Sequence, residues 1–203
     1  MRAFVFLFPL MPFFENMWYG RPVKRAEYRQ LLSRLNRLVT VRYRRAGYQI
    51  FWVFPSLPRA EGLPDYTLRT PGLRQLKGER ALVTNVSYAQ MRRRGQQPHW
   101  PDLLMQLPDR PSRLVVGGFH STDSVEKFAA YSYQQGIPTY LDEDTTELFF
   151  VRMRLDGSVP LQRPRRAAAA YTRRVSRRGL PMDQLSLDCL REQRKRRPWR
   201  PQL

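Results

Sequence analysis

The sequence predicts a three-layer α/β domain built on a mainly parallel sheet, and three observations carry that expectation. Short, near-continuous apolar runs recur at Ala3 to Phe8, Tyr48 to Phe54, Ala81 to Val86 and Leu114 to Val116, each the length of a strand buried on both faces. Helical stretches lie between such runs, so strand, helix, strand occurs twice, and right-handed crossovers between parallel strands connect elements of that kind. Turn residues separate them, with Gly47 before the second run and Gly117-Gly118 closing the fourth.

In chain order, the first run follows a lone Arg and superficially resembles a secretory leader. Pro9 and Pro12 interrupt it, no small-residue cleavage site follows, and it is too short to span a bilayer, so a buried first strand is the expectation. From Ala26 to Ala46, Tyr28, Leu31, Leu32, Leu35, Leu38, Val39 and Tyr43 form one helical stripe. Arg29, Arg34, Arg37, Arg44 and Arg45 project from the remainder, as a solvated face or as phosphate ligands. Residues 55 to 80, with Pro55, Pro58, Pro64 and Pro71 and with Gly62 and Gly72, are expected to be loop that can close over a pocket. Met91 to Gly95 is expected to be a solvated turn, Trp100 to Leu107 a short helix, and His99 a surface residue without a ligand partner.

The stretch from Arg113 to Thr145 organises the rest. Leu114 to Val116 predict a strand that breaks at Gly117-Gly118. Ser121, Thr122 and Asp123 then offer N-cap oxygens, and Glu126 can complete a capping box with Asp123. Val125, Phe128, Ala129 and Ser132 share one helix face, and Gly136 can end that helix in a left-handed turn. Thr139 to Leu141 predict the next strand, ended by Asp142, Glu143 and Asp144, which are expected to cap a further helix over Thr145 to Phe150.

Gly118, Ser121, Ser124, Val125, Ala129, Gly136 and Asp144 fall in the register of a family signature, and on these residues the stretch resembles the isochorismatase-like, or cysteine hydrolase, superfamily. The resemblance implies a Rossmann-type topology and hydrolysis of a small amide, imide or vinyl ether. It also implies a nucleophilic Cys where this chain has Ser124, and a Thr where it has Ser121. The family's general base is an Asp at the end of the first strand, and here the count back from Phe13 or Phe14 reaches Phe8 or Pro9. A family Lys in mid-chain would be Lys77. True isochorismatases lack the Cys, so its loss alone leaves hydrolysis open.

The candidate catalytic residues are therefore Ser124, His120, Asp123 and Lys77. Ser124 lies in the first turn of a predicted helix, where backbone N-H groups favour an anion, and a serine there needs a base within reach, for which His120 is nearest. Gly118, Phe119, Ser121, Asp142 and Asp144 are the candidate ligand-binding residues. The acids with Asp123 and His120 also offer oxygens to a divalent cation, although capping is the favoured role and neither metal nor cofactor is expected.

Composition limits the partners. In 203 residues the formal net charge is +19, carried by 32 Arg and four Lys, which suits a polyanion partner and is also what a GC-rich coding sequence produces. The single Cys189 excludes an internal disulfide and favours a reducing, cytoplasmic setting. Residues 1–160 are expected to form the α/β domain and 161–203 a basic extension, with 13 basic and 3 acidic residues from Arg163 onward. Ala167 to Arg178 predict a helix there, and Leu185, Leu187 and Leu190 can dock another. Arg173, Arg174, Arg177, Arg178, Arg194, Lys195, Arg196 and Arg197, with Trp199, form a candidate nucleic-acid or polyanion surface. Two functional classes follow: a silent scaffold that binds a small ligand, a partner or a polyanion, or a hydrolase using the Gly118 to Val125 turn. A homo-oligomer without membrane association is expected.

Overall fold

The computed structural model describes residues 1–10, 25–56, 73–119, 121–146, 161 and 163–167. Of the helix expected over Thr145 to Phe150, the first two residues are strand, and residues 147–150 lie outside the described ones. So do 168–178 of the helix expected from Ala167, the segment around Leu185 to Leu190, His120, and the basic residues from Arg173 to Arg197. A six-stranded sheet forms the centre, in the order β3-β2-β1-β4-β5-β6. Its strands are β1 (Arg2–Leu7), β2 (Gln49–Ser56), β3 (Arg80–Ser87), β4 (Arg113–Gly118), β5 (Thr139–Thr146) and β6 (Arg165–Arg166). All neighbours pair in parallel except β6, which runs antiparallel to β5. The sheet thus takes in residues 165–167 from beyond the expected boundary at 160. Ala167 donates its backbone N-H to the Thr139 carbonyl at 2.9 Å and is buried.

β1 lies between β2 and β4, and its residues from Ala3 to Leu7 are fully buried. Alternate side chains serve opposite faces, as the period of a strand requires. Phe4, Phe6, Ile50, Trp52 and Val115 pack with Leu31, Leu35, Val39 and Tyr43 of the first helical segment. That segment is α1 (Arg25–Leu38), continued as π-helix over Val39–Arg44, where Tyr43 stacks on Phe4 with ring centroids 3.9 Å apart. On the other face Val5, Leu7, Val53, Leu114 and Val116 pack with Leu103, Phe128 and Ala129. Each such Leu, Val or Phe, taken fully out of water, contributes about 1.5–3 kcal/mol.

Two helices cross from β3 to β4. α2 (Tyr88–Arg94) occupies the stretch expected to be a turn. The reason is a reciprocal cap: Gln90 N-H donates to Ser87 Oγ at 3.2 Å, Ser87 N-H donates to Gln90 Oε1 at 2.8 Å, and Gly95 closes the helix at φ 60°. α3 (Trp100–Met105) follows, with Pro101 in its first turn and Trp100 against Phe128. His99, at the start of α3, has a partner after all, since its Nδ1 lies 2.8 Å from Asp102 on the surface.

The stretch before β3 is fixed to α1 by one carboxylate. Glu79 receives Arg44 through Nε at 2.6 Å and Nη2 at 3.1 Å, Trp52 Nε1 at 2.7 Å, and the Leu76 N-H at 2.9 Å. Burial alone would raise its pKa, but these donors hold it below the ordinary 4.5. A carboxyl depressed in the fold stabilises above its unfolded pKa and loses that contribution as pH falls through the folded value. Glu79→Gln is therefore expected to cost about 2–3 kcal/mol in urea unfolding at pH 7. The deficit relative to wild type should shrink when the same titration is run near pH 3, and a pH-independent deficit would contradict the ionised role.

Candidate functional site at the carboxyl edge of the sheet

In an open parallel sheet, ligands bind where the strands end, so the carboxyl edge is where the predicted residues should meet. β1 ends at Leu7, and Phe8 then takes φ 55°, a conformation unusual for a bulky side chain. Its N-H donates to Val53 O at 2.9 Å, while the Leu10 N-H returns to Phe8 O at 2.7 Å. Across the edge the Phe119 N-H donates to Leu7 O at 2.9 Å. Gly118 is required between them: at φ 118° a Cβ would lie 2.2 Å from the Leu7 carbonyl oxygen. Phe8, Leu10 and Phe119 are buried, so the position expected of a catalytic carboxylate holds apolar side chains.

Beyond Gly118 the chain makes a π-helical turn over Ser121–Val125 and continues as α4 (Glu126–Gln134). The expected Asp123 cap does not form, because Val125 enters α4 already helical and without a side-chain cap. The Asp123 carboxylate instead accepts Gln97 Nε2 at 2.7 Å and pairs with Lys127 one turn on. Ser124 is 1% exposed. The predicted face of Val125, Phe128, Ala129 and Ser132 is buried, and Gly136 ends the helix region at φ 76°.

Lys77 is not brought to this edge. It sits exposed in the turn before β3, and the Arg80 that follows is level with Phe51 and so with Val5 and Val116, well before the strand ends. β3 and β4 are three strand spacings apart, about 14 Å.

Asp142 and Asp144 do not end β5 as helix caps, because the strand continues through them to Thr146. Pairing with β4 passes from Val116↔Leu141 to Gly118↔Thr146, so a bulge in β5 carries the acids. Gly117 makes room for it, since a Cβ there would come within 2.0 Å of Thr145 Oγ1. Both carboxylates turn to one guanidinium: Arg42 Nη1 donates to Asp142 at 2.8 Å and Nη2 to Asp144 at 2.7 Å. Tyr43 donates its hydroxyl to the second Asp142 oxygen. Asp142 is 1% exposed and Asp144 fully buried. Burial pushes the Asp142 carboxyl above its ordinary value, an effect that Arg42 and the Tyr43 hydrogen bond offset in part. Burial and then the Asp142 charge push Tyr43 upward. Burial would lower the Arg42 pKa, but Asp142 and the hydrogen bonds to both acids hold it above its ordinary value.

Glu143 points elsewhere, to Arg165 at 3.1 Å, which ties β5 to β6. Among the described residues no group of three or more His, Cys, Asp or Glu is placed to hold a metal ion. The sequence reading missed Arg42 and assigned Tyr43 only to the apolar stripe. The signal was present in Asp142-x-Asp144: two acids on a buried strand require a cation, and the helix packed on that face had to supply it.

No family model and no curated protein sequence matches the chain. Among solved structures it is similar to an isochorismatase from Pseudomonas putida, at 19% identity over 71% of this chain and 70% of that one, with a TM-score of 0.47. It is similar also to N-carbamoylsarcosine amidase from Thermoplasma acidophilum, at 16% identity over 77% and 94%, with a TM-score of 0.47. A third is the pyrazinamidase of Pyrococcus horikoshii in complex with zinc, at 12% identity over 90% and 94%, with a TM-score of 0.46. In fold the chain is similar to isochorismatase-family structures. None of the residue roles described above rests on these likenesses.

Removing Arg42 leaves two buried carboxylates facing each other, so Arg42→Met is expected to cost about 3–5 kcal/mol at pH 7. Without the cation the Asp142 pKa rises further, so the folded variant takes up its proton at a higher pH than wild type. The deficit should therefore narrow as pH falls toward 4, read as the wild-type minus variant unfolding free energy at each pH. A deficit that widens on acidification would reject this assignment.

Proposed function

We propose that the chain is an isochorismatase-like scaffold that binds a small ligand, a partner chain or a polyanion, without the Asp-Lys-Cys chemistry of its resembled family. The observation that supports this reading best is the end of β1, where Phe8 or Pro9 stands in place of a carboxylate and both are buried. A serine nucleophile needs an adjacent base to take its proton. Among the described residues, the carboxylates around this edge are engaged: Asp123 by Lys127 and Gln97, Asp142 and Asp144 by Arg42. Lys77 lies toward the other edge. Burial raises the pKa of Asp142, but its carboxylate is buried and engaged by Arg42 and Tyr43, which argues against a role as a general base.

A second reading is a hydrolase of a small amide or vinyl ether that uses the Gly118 to Val125 turn. What favours it is the position of Ser124, just past the carboxyl end of β4 and ahead of α4. The two separate on one serine. The full chain is expected to show no hydrolysis of small amides or vinyl ethers above that of Ser124→Ala, and no covalent labelling by a fluorophosphonate probe. Turnover or labelling that disappears in Ser124→Ala, with the melting temperature of that variant preserved, would establish the hydrolase instead. Among the described residues no helix is long and apolar enough to cross a membrane.

A further inference from the structure

A concentration of arginines among the described residues lies away from the carboxyl edge, on the outer side of α1. A cleft of about 790 Å³ runs between that helix, its π-helical continuation and the segment around Arg74 to Leu76. Arg29, Arg37 and Arg45 line it at intervals of eight residues, with Arg74 on the facing wall. At about 1.5 Å per residue Arg29 and Arg37 of α1 stand roughly 12 Å apart along the axis, and Arg45 follows beyond the π-helical turn. All four side chains are exposed, and none has an acidic partner among the described residues. Four guanidinium groups lining one concavity repel one another unless an anion lies between them.

The walls are built rather than incidental. Asn36 Oδ1 accepts the Arg74 N-H at 2.9 Å, Arg44 donates to the Arg74 carbonyl at 2.5 Å, and Glu79 accepts the Leu76 N-H at 2.9 Å. Arg44 is spent on this work and on Glu79, so it fixes the width of the cleft instead of offering its charge. Ser33 and Thr40 add hydroxyls, while Leu32, Val41 and Leu76 add apolar surface; Val41 is 50% and Leu76 49% exposed.

We infer that this cleft binds the phosphate backbone of a single-stranded nucleic acid. Cations spread along one wall of an extended cleft, with a fourth on the facing wall, suit a ligand with one charge on every unit, and not an isolated small anion. The apolar patches between them suit sugar and base faces. A concave, walled cleft admits a strand, whereas a duplex is read by a helix that protrudes into its groove. Among the described residues no aromatic ring lines the cleft, so binding is expected to be independent of sequence and governed by salt. The net charge of +19 would steer such a strand toward the protein. This inference stands whether or not Ser124 is catalytic.

The test uses the full chain and a fluorescent 12-nucleotide oligo(U), titrated at several salt concentrations. Single strands release about 0.7 counterion per phosphate contacted, so four contacts predict a log-log salt slope of about −3 from the cleft. Arg29→Gln, Arg37→Gln and Arg45→Gln combined should flatten the slope by about 2 and weaken binding at least about tenfold at low salt, with unchanged melting. Replacing Arg194, Lys195, Arg196 and Arg197 by Gln, in an otherwise intact chain, measures the tail separately and should leave the cleft's share in place. An unchanged slope and affinity in the triple variant would overturn the inference. So would a polyglutamate of equal charge displacing the strand as well as unlabelled oligo(U), or tighter binding of a duplex than of the single strand.

Discussion

Two buried carboxylates on β5 constrain much of what surrounds them. Asp142 and Asp144 cannot be left unpaired in a dry interior, and water does not reach them, so a cation must come from the element packed on that face. Arg42 is that cation, and it takes one acid with each terminal nitrogen. The pairing joins the helical layer after β1 to the strand beyond β4, residues 100 and 102 positions apart in sequence. Such a pair adds less net stability than its short distances suggest, because desolvation offsets most of the attraction. Its effect is to make other arrangements costly: a helix rotated or shifted by one residue would leave two charges stranded.

Several local features become intelligible around that pair. The bulge in β5 carries both acids toward one guanidinium, which a regular strand would not do so closely. Gly117 is small because Thr145 lies over it, and Tyr43 lies flat on Phe4 while its hydroxyl completes the shell of Asp142. The π-helical turn after Leu38 occupies the segment that supplies Arg42 and Tyr43, a place where irregular helix geometry often marks a special constraint. Among the described residues Asp142 and Asp144 are thereby engaged in holding the layers together, while Asp123 is held separately by Lys127 and Gln97.

The strands were legible because a buried parallel strand leaves an unmistakable apolar run: β1, β2, β3 and β4 begin within two residues of the runs seen in the sequence. The face of α4 and the left-handed end at Gly136 were legible for the same reason, since each follows from local spacing. α2 was missed because three consecutive arginines masked a cap set by Ser87 and Gln90 just ahead of them. β5 was cut short at Leu141 because acidic residues ordinarily stop a strand, and only the distant Arg42 makes them tolerable inside one. The cation for a buried acid is chosen by tertiary proximity, and no spacing rule within the strand names it.

Charge is distributed unevenly across the described residues, and the distribution has a physical logic. Arg42, Arg44 and Arg165 are directed inward or along the sheet edge, each against one or more carboxylates. Arg29, Arg37, Arg45 and Arg74 have no such counterpart and share one cleft. If the arginines served only to make a soluble surface, pairing with the available acids would be as good a use for these four as for the first three. The acids among the described residues are instead concentrated where burial demands them, which leaves the outer side of α1 with a positive potential that none of the described acids neutralises. Among the described residues, the acids of the carboxyl edge are paired while these four arginines lining the outer cleft are not, and that contrast is the physical ground for looking to the helix for the proposed ligand.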